Sequence, residues 1–329
     1  MKNKNVVVIG GGTGTHTVLT GLKKYPVNLT AIVSMSDDGG SNRVIRDEFG
    51  LLPTSDIRQC LVALAEENGE AEKIMRNLFM HRFHKGTGIK GMTFGNLFMA
   101  ALSDILGSQS EAIKKTSKIL KIKGNILPVT LDNVRLGAIY ENGKKIVGEH
   151  LIDEPEHDGT LKIAKAFLKP RAKANPEAVE AILGADLVVL GPGDLYTSVI
   201  ANILVRGVPE ALRKTKAKIV YIVNLMTRPG QTHGFSAKDH VTILEKYVGK
   251  GCIDVVMTNS KALPEDILKK YKNEQSSPVA SDFKKEYFRV IKSNFVGEKE
   301  FKKVAGDTLK RSFIRHNPDK LAKIIISLL

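Results

Sequence analysis

The chain has 329 residues, enough for one large α/β domain or two ordinary ones, and 42% of them are hydrophobic, so it can bury a substantial core. Its formal charge is +15, but the basic residues are dispersed. The local clusters at 113–124 and 213–218 read as helix faces and helix ends, so charge alone does not mark a nucleic-acid binder. Without Trp and with few other aromatics, an extended base-stacking platform is excluded; two distant cysteines, Cys60 and Cys252, exclude a CxxC metal or redox motif.

Residues 6–10, VVVIG, form a continuous β-branched run and predict a buried parallel strand. Helical spacing follows over 15–26 and stops at Pro26, and a second strand is predicted over 28–38. Together these make a βαβ unit. A loop and then one helix, capped by Ser55 or Asp56, are expected within 39–67. Further helices are expected over 71–83, 93–107, 110–122 and 175–184. The stretch 125–153 changes character: NVRLGAIY alternates and ENGKK carries an Asn-Gly turn pair, so a β-hairpin insertion is expected there. Strands followed by glycine-rich or polar turns recur at 185–198, 217–232 and 253–260. Weaker strands are expected at 284–296 and just before RHNP (315–318), and the chain closes with a helix over 319–329. Alternation of strands and helices predicts an α/β, Rossmann-like, doubly wound and mostly parallel sheet over residues 1–329 as a single domain. No apolar stretch approaches the length of a membrane span, and the N-terminal apolar run is too short for a signal peptide; a soluble cytoplasmic protein is expected.

The turn Gly10-Gly11-Gly12-Thr13-Gly14 places four glycines in five residues between a strand and a helix. Such a turn brings backbone N–H groups and the positive end of a helix to an anion. It is not a dinucleotide fingerprint, because Thr15 or Thr17 occupies the third glycine position in either register, and no GK[ST] follows to make a phosphate loop of the NTPase kind. Phosphate binding is expected; NAD is not.

Ligands of open α/β sheets gather outside the carboxyl ends of the strands, and four strand ends here are polar and glycine-rich. The second ends in Asp37-Asp38-Gly39-Gly40-Ser41. Either acid suits a ribose hydroxyl or Mg²⁺ held against phosphates, and either also suits the turn itself; strand alternation lets at most one face a ligand. The third, GPGDLYTS, offers a second anion cradle through Gly191 and Gly193, with Tyr196 and the hydroxyls of Thr197 and Ser198 beside it. Asp194 there suits a ribose hydroxyl, a helix cap or a metal. The fourth, NLMTRPGQT, contributes Asn224 and Thr227. His81 and His84 lack a third ligand nearby, and no GxSxG, HExxH or evident general base is present.

These motifs together, VVVIGGGTG, SDDGGS with RDEFGLLPTSDIRQCL, FGNL, GPGDLYTSVIANIL and NLMTRPGQT, resemble the gluconeogenesis factor (YvcK-like) family and its sister family, the 2-phospho-L-lactate transferases (CofD). The resemblance runs from residue 6 to about residue 318. It implies a regulatory protein that binds a nucleotide diphosphate sugar such as UDP-N-acetylglucosamine and supports cell shape during gluconeogenic growth. The transferase relatives imply the alternative: a Mg²⁺-dependent enzyme that releases GMP from a guanylylated diphosphate donor. Asn96 of FGNL, Tyr271 before SSPV and Arg315 of RHNP match family site positions. Tyr can stack on a base or sugar, and Arg can pair with a diphosphate. No cofactor beyond possible Mg²⁺ at Asp37, Asp38 or Asp194 is implied. Nucleic acid and membrane insertion are not expected; a homodimer and a regulatory protein partner are left open. Departures from the family occur at Thr15, His16 and Thr17, where an altered ligand preference is expected, at Asn42–Ile45, at Met92 in place of a His, and at Asn317 in place of an Asp.

Overall fold

The computed structural model describes residues 3–297 and 312–329. Along the chain the strands are β1 (Lys4–Gly10), β2 (Val27–Val33), β3 (Asn125–Pro128), β4 (Arg135–Tyr140), β5 (Lys145–Val147), β6 (Ile163–Lys169), β7 (Leu187–Leu190), β8 (Lys218–Ile222), β9 (Val255–Asn259) and β10 (Arg289–Ser293). Seven of them form one sheet in the order β10-β9-β8-β7-β1-β2-β3, and every neighbouring pair in it is parallel. Helices cover both faces, which is why the central strands read as unbroken apolar runs: Val6, Val8 and Ile9 of β1 and all of β7 are completely buried. The chain winds outward from β1 through β2 to β3, then returns to the other side of β1 as β7 and winds outward again. The strand order therefore reverses between β1 and β7, with Val6 paired to Leu187 and Ile9 to Leu190.

The helices before the insertion are α1 (Gly12–Leu22), α2 (Gly40–Phe49), α3 (Ser55–Leu64), α4 (Glu70–Met80), α5 (Phe94–Leu106) and α6 (Gln109–Ile119). Helix α1 begins inside the glycine turn, at Gly12 (φ +60°), rather than after it. The single helix expected within 39–67 is two. Gly50, in the left-handed conformation at φ +65°, ends α2 by bonding its N–H back to the Ile45 carbonyl, and α3 starts only after Pro53. Neither Ser55 nor Asp56 caps α3; Thr54 occupies that position without a side-chain cap bond.

The hairpin insertion is present but differs in extent from the expected 125–153. NILP is the edge strand β3 of the parallel sheet, in register with Thr30–Val33 of β2. The hairpin proper is β4–β5, turned by Asn142, whose Oδ1 accepts the Lys144 N–H at 3.0 Å. EHLID is the short helix α7 (Glu149–Asp153). A third strand, β6, completes a small antiparallel sheet in the order β5-β4-β6. Its sequence, IAKAFLK, hides it, because Ala and Lys are poor strand formers and break the alternation.

After β6 come α8 (Pro176–Leu183), a π-helical turn (Leu195–Ile200) running into α9 (Ala201–Ile203), α10 (Val208–Lys214), α11 (Ala237–Val248), α12 (Glu265–Asn273) and α13 (Pro318–Ile326). The weak strand expected before RHNP falls mainly outside the described residues; beside it Val296 and His316 form an isolated antiparallel bridge. No described helix is long and apolar enough to cross a membrane. Met92, one of the departures from the family, packs with Ile45 and Ala100 in a small apolar cluster.

Candidate functional site

A polar cleft of about 330 Å³ opens at the carboxyl ends of the strands, at the point where the strand order reverses. Both glycine-rich turns meet there. Gly11, Gly12, Thr13 and Gly14 form one side, and Gly193, Asp194, Thr197 and Ser198 the other. Gly14 lacks a side chain because the Pro192 carbonyl occupies that space, so the two turns are packed backbone to backbone. Asn224 locks the second turn from the end of β8: its Oδ1 accepts the Gly193 N–H at 3.1 Å. Thr227 is held by Ser277 through a backbone bond of 2.8 Å.

Gly10 and Gly191 end β1 and β7 behind the cleft. Asn202 spans this region by donating to the Gly10 carbonyl at 3.0 Å and the Ser198 carbonyl at 2.7 Å. Tyr196 points away altogether, into the core, with its hydroxyl on the Ile163 carbonyl of β6. These three sequence-predicted residues shape the turns without lining the cleft.

The paired acids point to different neighbours, but not through strand alternation: β2 ends at Val33, short of the expected 28–38, and both acids lie in the loop beyond it. Asp37 lines the cleft together with Gly39, Gly40 and Ser41. Its carboxylate accepts the Gly39 N–H at 2.9 Å and Asn42 Nδ2 at 2.6 Å. Asp38 turns to the antiparallel insertion, where it accepts the His150 N–H at 3.0 Å and lies 3.7 Å from Arg135. Asn96 is wholly buried behind the wall; its amide donates to Ser41 at 2.9 Å and Ser55 at 3.2 Å, and its carbonyl accepts from Arg58 at 3.1 Å. It ties the starts of α2, α3 and α5 together.

Several cleft residues were invisible in the sequence. Asp56 and Arg58 come from α3, and Glu149 and Asp153 from α7. Asp56 lies over the first glycine turn: a Cβ at Gly11 would collide with its Oδ2. Burial pushes the Asp56 carboxyl up to about 7, with the nearby Asp37 charge adding to it. Burial likewise raises Asp37, despite its two hydrogen bonds, and raises Glu149 well above the ordinary carboxylate range, with Asp37 and Asp153 contributing. Asp194 is pushed up to about 6, first by burial and then by the neighbouring Asp153, with which it shares a hydrogen bond; Arg228 opposes the rise. The Arg228 guanidinium donates to Asp153 Oδ2 at 2.7 Å, and Gln231 donates to Asp153 Oδ1 at 3.1 Å. Burial disfavours the Arg228 charge, but Asp194 and Asp153 outweigh it.

The cleft also carries further cations. Arg58, Arg82 and Arg315 line it. His16, just outside, is driven down to about 4 by burial and by the charges of Arg76, Arg315, Lys23 and Arg58. The cleft thus brings carboxylates and guanidinium groups together. Of the departures at 15–17, only Thr17 reaches the cleft; Thr15 is buried, with its hydroxyl on the Gly11 carbonyl.

Tyr271 touches the cleft but is only 5% exposed. Its hydroxyl accepts the Ile314 N–H at 3.2 Å, and its ring meets Phe313 edge-on at 5.1 Å. Its visible role is to hold the segment that carries Arg315 into the cleft.

Among the described residues, no group of three or more His, Cys, Asp or Glu side chains is arranged to hold a metal ion. Mg²⁺ can also be held by one or two carboxylates plus a ligand's phosphates. Asp37, half-buried and lining the cleft, fits that shared mode; Asp38, committed to His150 and Arg135, does not.

Comparison with known proteins bears on this arrangement. The family described as 2-phospho-L-lactate transferase CofD matches residues 6–296. A protein of Bacillus subtilis named gluconeogenesis factor is 39% identical over 328 residues, covering 98% of each chain. One of the same name from Halalkalibacterium halodurans is 38% identical, covering 99% of this chain and 97% of its own. A crystal structure of a Bacillus halodurans protein superposes with a TM-score of 0.89 at 37% identity, covering 99% of both chains.

Proposed function

Since this chain belongs to the family of the gluconeogenesis factors and CofD-type 2-phospho-L-lactate transferases, we propose that its cleft binds a nucleotide diphosphate sugar, UDP-N-acetylglucosamine or a close relative, and that the protein is a regulator of cell morphogenesis under gluconeogenic growth. One observation carries the reading: two glycine turns and Arg315 converge at the reversal of strand order. Backbone amides and a guanidinium there suit a diphosphate, and the cleft carboxylates suit sugar or ribose hydroxyls, which donate hydrogen bonds.

The test is thermal unfolding of the isolated protein with UDP-N-acetylglucosamine and, separately, with NAD. Ligand at a hundredfold over its dissociation constant stabilises by about 2.7 kcal/mol, so a clear rise is expected with the nucleotide sugar and none with NAD. Absence of a rise with any UDP-sugar removes the reading.

A second reading is a transferase of phosphorus-containing groups. It is supported by Asp56 and Asp194, cleft carboxyls whose pKa values of about 7 and about 6 suit proton transfer near neutral pH. Mg²⁺, where used, would sit between Asp37 and a ligand phosphate and would neutralise charge there. Mg²⁺-dependent release of GMP from a guanylylated diphosphate donor would favour this reading over the first.

A further inference from the structure

We infer that His316 determines ligand specificity by accepting a hydrogen bond from an N–H or O–H of the ligand's base or pendant sugar. This rests on the reading that the cleft holds a nucleotide diphosphate sugar.

His316 follows Arg315 directly, and both line the cleft. Three observations fix what its ring can do. It hydrogen-bonds to the backbone of Val223, at the end of β8. The Val223 N–H is already spent on the Met257 carbonyl at 3.0 Å, so the Val223 carbonyl is the acceptor and a ring N–H is the donor. Nε2 is buried with no partner among the described residues, so the donating nitrogen is Nδ1 and Nε2 carries a lone pair. Burial also drives the ring pKa down to about 4, which keeps the imidazole neutral at physiological pH.

A buried acceptor without a partner is an unpaid desolvation cost that a bound donor would relieve. A phosphate dianion carries no proton and cannot supply one. An imide N–H of a base, a sugar hydroxyl or an amide N–H can. Asp56 and Asp194 of the cleft also accept, but their protonation shifts near neutral pH, whereas His316 presents one fixed neutral acceptor. The adjacent residues therefore divide the work: Arg315 brings positive charge suited to phosphate, and His316 reads a neutral donor beside it.

The test is calorimetric titration of the full chain, wild type and two variants, with UDP-N-acetylglucosamine, UDP and N3-methyl-UDP. His316→Phe keeps a ring and removes the acceptor; its dissociation constant for UDP-N-acetylglucosamine should rise about tenfold. His316→Gln offers a side-chain carbonyl and should stay within about threefold of wild type. If the base supplies the donor, N3-methylation reproduces the loss in the wild type and adds nothing in H316F. If the sugar supplies it, H316F loses affinity for UDP-N-acetylglucosamine but not for UDP. A folded H316F that binds UDP-N-acetylglucosamine as tightly as the wild type overturns the inference. The modified ligands act on the wild type and keep the test decisive should H316F not fold: equal affinity for all three then overturns it. Failure of the wild type to bind any of the three removes the nucleotide-sugar reading and this inference with it.

Discussion

Gly14 of α1 and Pro192 of the second glycine turn touch backbone to backbone: the Pro192 carbonyl fills the place where a Gly14 side chain would stand. The last glycine of GGGTG therefore serves loop-to-loop packing. Gly14→Ala forces the turns apart or strains them, and overpacking of this kind costs about 1–3 kcal/mol. Urea unfolding should show that loss, and affinity for UDP-N-acetylglucosamine should fall with it. An unchanged midpoint would mean that the turns part without cost.

Asp56 gives stability a pH dependence. Its carboxyl titrates at about 7 in the folded chain and at about 3.9 when unfolded. Between those values the folded state holds the proton and the unfolded state does not, so this group's contribution to stability falls as pH rises from about 4 to about 7, then levels off. Asp194 acts in the same direction, whereas His16, lowered to about 4, acts in the opposite one. Only the difference between variant and wild type isolates Asp56. Asp56→Asn should gain on the wild type between pH 5 and pH 8 by on the order of 1–3 kcal/mol, measured by urea midpoints at the two pH values. Parallel curves would refute the buried, proton-holding carboxyl.

Asn96→Ala should cost about 2–3 kcal/mol, because it removes one acceptor of the Arg58 guanidinium and the bonds to Ser41 and Ser55. The loss should appear both in melting temperature and in ligand affinity, since Ser41, Ser55 and Arg58 all line the cleft. A variant that melts like the wild type would show that the three helix starts hold without it.

Tyr271→Phe tests whether this residue acts on the ligand or on the segment behind it. The substitution keeps the ring but leaves the Ile314 N–H without its acceptor. UDP-N-acetylglucosamine should bind about fivefold more weakly, against at least about tenfold for Arg315→Ala. Equal losses in calorimetry would place the hydroxyl on the ligand instead.

The chemistry of the strand ends was legible in the sequence because glycines, acids and hydroxyls stand where apolar runs stop. GGGTG, DDGGS, GPGDLYTS and NLMTRPGQT all supply cleft residues; the choice of Asp37 over Asp38 was not legible, because both lie in the loop beyond Val33 and Asp38 is drawn away by His150 and Arg135. The other cleft carboxylates were not legible. Asp56 belongs to α3, a separate helix only because the left-handed Gly50 ends α2 before it, and Glu149 and Asp153 belong to a five-residue helix inside the stretch read as a hairpin. Tyr196 shows the reverse: a motif residue that the π-helical turn rotates into the core.

The sequence by itself determined the class of the fold and the glycine-rich, open-backbone character of its turns. Both follow from local rules: buried parallel strands are continuously apolar, and glycine is needed where backbone approaches backbone or an anion. Only the tertiary structure decided that β7 returns beside β1, bringing turns about 180 residues apart into one cleft. It also decided that Asp37, Asp56 and Glu149 crowd together. Their raised pKa values come from burial and mutual repulsion among residues distant along the chain, and no local pattern encodes those terms.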